Sequence, residues 1–298
     1  MPVVDGQKSE SEKFAGASRT YSIEALMGDG RALQAGTSHN LGQNFAKAFE
    51  LSYQSESGAQ EFAWNTSWGV STRLVGGLVM THGDDAGLRL PPLLAPTELV
   101  IVPIYRTDEE RSAVLEAATR IERELNEWER REPNALRVHV DRRDGMKPGA
   151  KYYDWELRGV PLRLELGPRD LANQQGVLVR RDTKEKKPVS LGVLGEEVEE
   201  LLDRIQQDML TAARDRREAN SVRGPITYDR FREIMDGEGA FVYAGWCGSA
   251  DCEAQIKEET KATIRVLPDE EFRSAEAPRT CLKCGKPATD EALWAKAY

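Results

Sequence analysis

Apolar residues recur along the chain at two spacings, which predict alternating strands and helices. Four short apolar runs are typical of strands: residues 99–104, 138–140, 162–166 and 177–179. Apolar positions three or four residues apart begin near Thr107 or Asp108 and again at Glu196, and this spacing predicts two amphipathic helices. The core positions predicted for these helices are Val114, Ala117, Ile121, Leu125 and Trp128 in the first, and Val198, Leu201, Leu202, Ile205 and Met209 in the second. With a further helix predicted at residues 151–157, the alternation indicates an α/β protein in layers.

The first hundred residues contain a predicted hairpin and a predicted helix. Residues 20–25 and 31–34 flank a Gly-Asp-Gly turn at residues 28–30, and glycine supplies the positive φ that a tight hairpin turn needs. Residues 74–80 form a helix-like run that is too apolar to be exposed. Three prolines within residues 91–96 then mark a linker, because proline stops helices and removes hydrogen-bond donors.

Charge and composition exclude several classes of protein. The chain has 298 residues, enough for about two domains, and its net charge of −9 argues against a general nucleic-acid binder. Residues 158–187 are net positive, with eight basic and four acidic side chains, and they suit either a confined RNA contact or a solvated charged face. No apolar run reaches the roughly 18 residues that span a bilayer, and no signal-peptide core opens the sequence, so we expect a cytoplasmic protein without a membrane segment.

Two polar stretches offer candidate ligand-binding side chains. Arg73 stands at the head of the apolar run, where a guanidinium is a bidentate fork for phosphate or carboxylate. The alternative is an arginine at a helix start that pairs with a nearby acid. In an extended strand, Thr37 and His39 would share a face and converge on a small polar ligand. The alternative is a turn that contains a satisfied histidine.

The four cysteines lie near the end of the sequence in two pairs. Cys247 and Cys252 are separated by four residues, and Cys281 and Cys284 belong to a Cys-x-x-Cys-Gly turn. Such a turn presents two thiolates to one ion, and a second pair completes a tetrahedral four-sulfur site, so we predict structural zinc. Two disulfides are the alternative in a secreted chain.

Two blocks of sequence resemble a known enzyme family. The stretch LQAGTSHNLGQNF at residues 33–45 and the stretch at residues 67–92, which begins SWGVSTR, resemble the catalytic core of prolyl-tRNA synthetase around its third signature motif. Prolyl-tRNA synthetase is a class II aminoacyl-tRNA synthetase. Residues 99–191 resemble the anticodon-binding domain of that family, and residues 227–298 resemble its zinc-containing C-terminal extension. The short segment between the two blocks indicates the form of the enzyme that has no inserted editing domain.

The resemblance implies three domains. Residues 1–95 would be the C-terminal part of the catalytic domain, with an α+β fold. Residues 96–195 would be an α/β anticodon-binding domain with a mixed sheet, and residues 196–298 a small α+β zinc-binding domain. The first two family motifs would precede this sequence, so we expect a synthetase that lacks its N-terminal part through a split gene, a late start or a truncation. Residues 7–13 would then be frayed, because their neighbours are missing.

The resemblance also implies roles for individual residues. Those that would contact ATP are Gln34, Thr37, Ser71 and Arg73, while His39 would line the proline pocket and Arg73 and His39 would be the catalytic residues. Those that would face the guanines of the anticodon are Glu156, Arg163 and Arg169. The zinc ligands would be Cys247, Cys252, Cys281 and Cys284. Tyr298 resembles the terminal tyrosine that folds back towards the active site in the family, and a frayed tail is the alternative.

The activity that the resemblance implies is the activation of proline by ATP and Mg²⁺ to prolyl-adenylate, followed by transfer of proline to tRNA(Pro). We expect this chain to be inactive without the missing motifs. Its partner would be a second copy in the full-length homodimer or a complementing N-terminal fragment. The alternative function is a non-catalytic tRNA-binding or regulatory module derived from the synthetase.

Overall fold

The computed structural model describes residues 1–128 and 135–298. These residues form two compact units, one made of Met1–Thr81 with Ala213–Tyr298 and the other of His82–Ala212. In the described residues the strands are β1 (Val4–Gln7), β2 (Arg19–Leu26), β3 (Ala32–Gly42), β4 (Ser52–Gln54), β5 (Gln60–Phe62), β6 (Asn65–Gly69), β7 (Leu99–Pro103), β8 (Val138–Val140), β9 (Leu162–Leu166), β10 (Gln175–Arg180), β11 (Lys186–Ser190), β12 (Ser221–Val222), β13 (Phe241–Trp246), β14 (Ala262–Pro268) and β15 (Asp290–Lys296). The helices are α1 (Asn44–Ala48), α2 (Arg73–His82), α3 (Asp108–Asn126), α4 (Pro148–Leu157), α5 (Pro168–Ala172), α6 (Leu194–Ala219), α7 (Tyr228–Asp236) and α8 (Ala250–Thr260).

The first unit is built on one sheet that draws strands from both ends of the sequence. The strand order in the described residues is β12-β13-β15-β14-β1-β2-β3-β6. Strands β2 and β3 form the predicted hairpin. Strand β1 lies between this hairpin and β14, and it pairs antiparallel with both β2 and β14. At that junction Gly6 is required, because a Cβ there would lie 2.3 Å from the carbonyl oxygen of Leu267. The division at residues 95 and 195 remains a prediction, and the structure adds that the first and third parts share a sheet.

The expectation that residues 7–13 are frayed is wrong at their start. Lys8 and Ser9 are both more than 95 % buried, and the backbone N–H of Lys8 donates to the carbonyl of Thr20 at 2.8 Å. The segment is polar because its buried side chains make ion pairs and hydrogen bonds instead of apolar contacts. A polar composition therefore concealed an ordered segment.

The end of the sequence is likewise ordered in the first unit. The backbone N–H of Tyr298 donates to the carbonyl of Ala32 at 3.2 Å, and its hydroxyl donates to Asp29 at 2.5 Å. Arg31 lies over the aromatic ring, 5.8 Å from its centroid. Tyr298 thus packs on the turn between β2 and β3, and the alternative of a frayed tail is not observed.

The second unit contains a mixed sheet, as expected for residues 96–195. Its order in the described part of the chain is β11-β10-β9-β7-β8, with β7 parallel to β8 and β9 and the remaining pairs antiparallel. The first amphipathic helix is α3, which begins after a capping box between Thr107 and Glu110. The predicted core positions of α3 and α6 pack on this sheet, except that Ala118 replaces Ala117 as the fully buried alanine. None of the helices within residues 1–128 and 135–298 combines the length and apolar character needed to cross a membrane.

Asp141, directly after β8, organises a buried polar cluster in this unit. Its carboxylate accepts hydrogen bonds from Arg143 at 2.6 Å and from the indole N–H of Trp155 at 2.8 Å. Burial alone would raise the pKa of Asp141, but these hydrogen bonds hold it well below its usual range. A carboxyl whose pKa is lower in the folded state stabilises the fold above its unfolded pKa, and this contribution disappears as the pH falls.

We therefore expect Asp141→Asn to be less stable than the unmodified chain at pH 7 and to lose less stability on acidification. The difference between the two unfolding free energies should shrink as the pH falls below the ordinary carboxyl pKa of 3.8. Urea denaturation of both chains at several pH values from 7 to about 2.5 measures it, since that interval spans the unfolded pKa. Parallel curves for the two chains over this interval would contradict the assignment.

Candidate functional site

Strand β3 carries the first group of candidate ligand-binding side chains on one face. In its pairing with β2, Thr37 lies opposite Ser22 and His39 lies opposite Thr20, and residues directly opposite in an antiparallel pair share a face. Thr20 Oγ1 and His39 Nδ1 lie 3.0 Å apart. Further along the strand, a bulge brings Gln34 opposite Glu24, on the same face as Thr37. We call this the β3 ligand face.

Arg73 and Ser71 follow strand β6, which neighbours β3, and Arg73 lies near Gln34 of β3. Strand β6 pairs with β3 and leads into α2, where the backbone N–H of Arg73 donates to Ser71 Oγ at 3.3 Å. One guanidinium nitrogen of Arg73 is 3.5 Å from the backbone carbonyl oxygen of Gln34. No carboxylate within the described residues pairs with Arg73, so its ion-paired alternative is not observed. The guanidinium is exposed beside the β3 ligand face.

Helix α2 is more exposed than its apolar sequence predicts. Gly77 packs against Leu33, since a Cβ at Gly77 would lie 2.7 Å from the Leu33 side chain. Val75 and Val79, on other sides of the helix, are 65 % and 43 % exposed. The expectation that residues 74–80 are fully buried is therefore wrong, because the described residues cover only one side of the helix.

Phe14 belongs to the β3 ligand face and was missed in the sequence. Its ring centroid is 4.9 Å from that of His39, and its backbone N–H donates to Thr20 Oγ1 at 3.1 Å. Thr20 therefore contacts both Phe14 and His39 and holds the two residues next to each other. The available signal was that Phe14 is the single aromatic residue in the polar stretch between β1 and β2.

A cavity of about 680 Å³ opens on the opposite face of the same strands. Its lining includes Tyr21, Ile23, Ser38 and Trp68. Tyr21 pairs with Ser38 in the β2–β3 register, one position away from the Thr20–His39 pair, so these side chains point away from the β3 ligand face. Ser22 and Thr37 also border the cavity. The cavity therefore lies mainly on the opposite face of the sheet, and it meets the β3 ligand face at Ser22 and Thr37.

In the second unit, two of the three candidate anticodon residues are in contact. Arg163 is buried and donates to Glu156 at 3.1 Å and to Glu165 at 3.0 Å, and its guanidinium lies over the ring of Tyr152. Burial would raise the pKa of Glu156, but hydrogen bonds from Lys184 and Arg163 lower it. In this structure Arg163 therefore forms ion pairs with Glu156 and Glu165.

Arg169 is placed differently from that pair. It is exposed on α5, and its side chain makes no hydrogen bond or ion pair to any described residue. The guanidinium of Arg169 is available to an external partner. The guanidinium of Arg163 would first have to release one of its carboxylate partners.

The four cysteines converge in the first unit. Their sulfur atoms all lie within 4.8 Å of one another, and Cys247 Sγ is 3.7 Å from both Cys252 Sγ and Cys284 Sγ. Four sulfurs bound to one zinc at about 2.3 Å would be about 3.8 Å apart. All four are free thiols, at distances far longer than the roughly 2.05 Å of a disulfide. The disulfide alternative is wrong, and the donor set fits zinc.

Local backbone geometry builds the cysteine cluster. Cys247 follows β13, Cys252 lies in the first turn of α8, and the other two lie in a turn closed by the N–H of Gly285 donating to the carbonyl of Cys281 at 3.0 Å. Burial raises the pKa of Cys252 to about 12, whereas a backbone hydrogen bond from Lys286 lowers that of Cys284 to about 7. The exposed thiol is thus the one most readily ionised.

Comparison with known proteins covers the whole chain. A family model described as "Prolyl-tRNA synthetase, C-terminal" matches residues 228–298, and one described as "Anticodon binding domain" matches residues 98–201. The proline–tRNA ligase of Salinibacter ruber is 48 % identical over 300 residues, covering 100 % of this chain and 59 % of the relative. The proline–tRNA ligase of Alkaliphilus oremlandii is 48 % identical over 298 residues, and this match also covers 100 % of this chain and 59 % of the relative. The chain belongs to the prolyl-tRNA synthetase family.

Membership of the prolyl-tRNA synthetase family confirms the resemblance seen in the sequence. The proline–tRNA ligase of Flavobacterium johnsoniae, 46 % identical over 298 residues, shows the same proportion, since the match covers 100 % of this chain and 58 % of the relative. The chain therefore spans about three fifths of the length of these curated relatives. The matching family model confirms that the chain contains an anticodon-binding domain, while the bounds 96–195 stay a prediction.

Proposed function

We propose that this chain supplies the part of a proline–tRNA ligase that binds ATP and proline on the β3 ligand face and tRNA(Pro) on the anticodon-binding domain. The observation that carries the proposal is the convergence of Gln34, Thr37 and His39 on one face of β3, beside the exposed guanidinium of Arg73, which pairs with no carboxylate among the described residues. Sequence identity of 46–48 % to proline–tRNA ligases supports the choice of amino acid. A cytoplasmic location is part of the same proposal.

The proposed reaction is attack of the proline carboxylate on the α-phosphate of ATP, which releases pyrophosphate and forms prolyl-adenylate, followed by transfer of proline to the tRNA. Mg²⁺ enters with ATP and neutralises phosphate charge. The chain itself orients the reactants. Arg73 supplies a fixed cation at the start of α2, while the rings of Phe14 and His39, tilted by 41° to each other, offer a wall for the small apolar ring of proline.

On the anticodon side, the proposal assigns guanine recognition to Glu156, Arg163 and Arg169. Arginine donates two hydrogen bonds to O6 and N7 of guanine, and a carboxylate accepts from its amino group. Arg169 can do so as it stands, while Arg163 is held in place by Glu165 and the ring of Tyr152. The proposed partner is a second copy in the full-length homodimer, or a complementing N-terminal fragment that carries the family's first two motifs.

The cysteine cluster is assigned to one structural Zn²⁺ held by Cys247, Cys252, Cys281 and Cys284. With four protein sulfurs around it, the ion keeps no position for a substrate, so its contribution is to the fold. The sulfur positions support this assignment because all four lie within 4.8 Å of one another and two of the separations are 3.7 Å, close to the roughly 3.8 Å of a tetrahedral site.

The proposal is tested by proline-dependent exchange of pyrophosphate into ATP. We expect no exchange by these 298 residues alone and clear exchange by a longer chain that includes the family's first two motifs. In the longer chain, Arg73→Ala should lower exchange by about 100-fold or more, because one lost donor to developing phosphate charge costs that much. Arg230→Ala, which removes an exposed arginine that pairs with Glu233, should leave it unchanged.

Robust exchange by the 298-residue chain would overturn the expectation for this chain alone. If the longer chain is inactive too, the alternative of a non-catalytic module gains support. Such a module is favoured by the self-contained anticodon-binding unit, and it would bind tRNA with a preference for proline anticodons while binding neither ATP nor proline.

A further inference from the structure

The loop between β1 and β2, residues 8–18, forms part of the β3 ligand face. It carries Phe14, whose ring lies 4.9 Å from that of His39. The loop is not part of the sheet, so the position of Phe14 depends on what holds the loop. We call it the β1–β2 loop.

Two buried contacts anchor the beginning of this loop. Lys8 Nζ donates to Glu24 Oε1 at 2.9 Å and to the carbonyl of Arg265 at 2.6 Å. Ser9 Oγ donates to Glu253 Oε1 at 2.6 Å, and both partners are more than 95 % buried. The first contact fixes the loop to the sheet, and the second fixes it to helix α8.

The contact with α8 sets the turn that leads to Phe14. The carbonyl of Ser9 accepts from the backbone N–H groups of Glu12 at 3.2 Å and Lys13 at 3.0 Å. This turn ends directly before Phe14. A displacement of Ser9 would therefore move the turn and, with it, the Phe14 ring that contacts His39.

The same helix carries a cysteine of the metal cluster. Cys252 directly precedes Glu253 in α8, and its sulfur is 3.7 Å from that of Cys247. Lys257, one turn further along, pairs with Glu12 of the loop at 3.0 Å. A continuous series of contacts therefore runs from the cysteine cluster through α8 and Ser9 to Phe14 and His39.

We propose that Glu253 is a positioning residue that couples the cysteine cluster to the β3 ligand face by holding the β1–β2 loop. With metal on the cysteines, α8 is fixed, Glu253 retains Ser9, and Phe14 stays against His39. Without metal, α8 loosens and the wall of the ligand face loosens with it. The inference rests on the proposed function only for what the face binds, since the coupling itself is a property of the fold.

Hydrogen–deuterium exchange of the 298-residue chain loaded with Zn²⁺ tests the coupling directly. Glu253→Ala should keep one zinc per chain, while amide exchange of residues 8–18 accelerates by about tenfold, as expected when a charged hydrogen bond is lost. Glu258→Ala, an exposed glutamate on the same helix, should change neither. Glu253→Gln should restore slow exchange, because its amide oxygen still accepts from Ser9.

Removal of zinc from the unmodified chain should accelerate exchange in the same residues. Unchanged exchange there, or in Glu253→Ala, would overturn the proposal, as would loss of zinc from Glu253→Ala, which would make Glu253 a support of the cluster. If Glu253→Ala does not fold, Ser9→Ala removes the same hydrogen bond and should behave alike.

A second readout separates positioning from general stability. In the longer, active chain, Glu253→Ala should raise the KM for proline by about fivefold or more, with the KM for ATP nearly unchanged, because an interaction with one substrate is affected. Equal changes in both would overturn a specific role at the Phe14 wall. Should the longer chain show no exchange at all, the proposed function fails, while the deuterium result still decides the coupling.

Discussion

Replacing Cys252 with serine is expected to abolish stoichiometric zinc binding and to lower the melting temperature of the chain by roughly 10 °C or more. Structural zinc commonly contributes more than about 10 kcal/mol of apparent free energy in small domains, and even part of that is a large shift for a domain of this size. The cluster joins β13, α8 and the turn at residues 281–285. Without it, these elements keep only their side-chain contacts and hydrogen bonds, such as the one that the backbone N–H of Leu282 donates to the carbonyl of Gly245 in β13 at 2.8 Å. Metal analysis and thermal unfolding measure the two effects.

The control for the cysteine variant is Ala254→Ser, which introduces the same side chain at an exposed position of the same helix. It should retain zinc and the unmodified melting temperature. Treatment of the unmodified chain with a strong chelator should reproduce the Cys252→Ser result. One zinc per chain in Cys252→Ser, or a melting temperature indifferent to chelation, would contradict a structural four-cysteine site.

Glu24→Gln should destabilise the chain by about 3–5 kcal/mol, because it leaves two buried cations without their counter-charge. The carboxylate is fully buried and accepts from Arg265 at 2.8 Å as well as from Lys8. Burial lowers the pKa of Lys8, and the nearby Glu24 opposes that shift. Loss of the carboxylate therefore favours a neutral lysine, which relieves only part of the cost. Urea unfolding at pH 7 gives the free energies.

A matched comparison distinguishes buried charge from general damage to the sheet. Glu56→Gln changes an exposed glutamate in the same unit and should alter the free energy of unfolding by less than about 0.5 kcal/mol. Adding Lys8→Met and Arg265→Met to Glu24→Gln should recover most of the stability, since the unpaired charges are then removed. A loss below about 1 kcal/mol in Glu24→Gln would contradict the ion cluster described for this sheet.

The local elements of the fold were predictable because their signals lie within a few neighbouring residues. The β2–β3 hairpin follows from the glycines of its turn, and α3 and α6 follow from apolar spacing that both helices keep for several turns. The pairing of β1 with β14 was not predictable in this way. It joins residues about 260 positions apart, and no local pattern in either strand specifies its partner.

The candidate sites divide along the same line. The cysteine cluster was visible because its ligand types and spacing are specific, and the structure brings the four sulfurs together. Phe14 and the Lys8–Glu24 pair were not visible, since a polar segment that is buried by ion pairs has the composition of a surface loop. Burial, which decides what such residues do, is a property of the assembled sheet.

The pairing of β1 with β14 also has a consequence during synthesis on the ribosome. Strand β1 emerges about 260 residues before its partner strand is completed at Pro268. At about 5–20 residues per second, the interval between the two strands is roughly ten to fifty seconds. Throughout that time the three antiparallel strands β1, β2 and β3 present the unpaired edge of β1 to other chains and to chaperones.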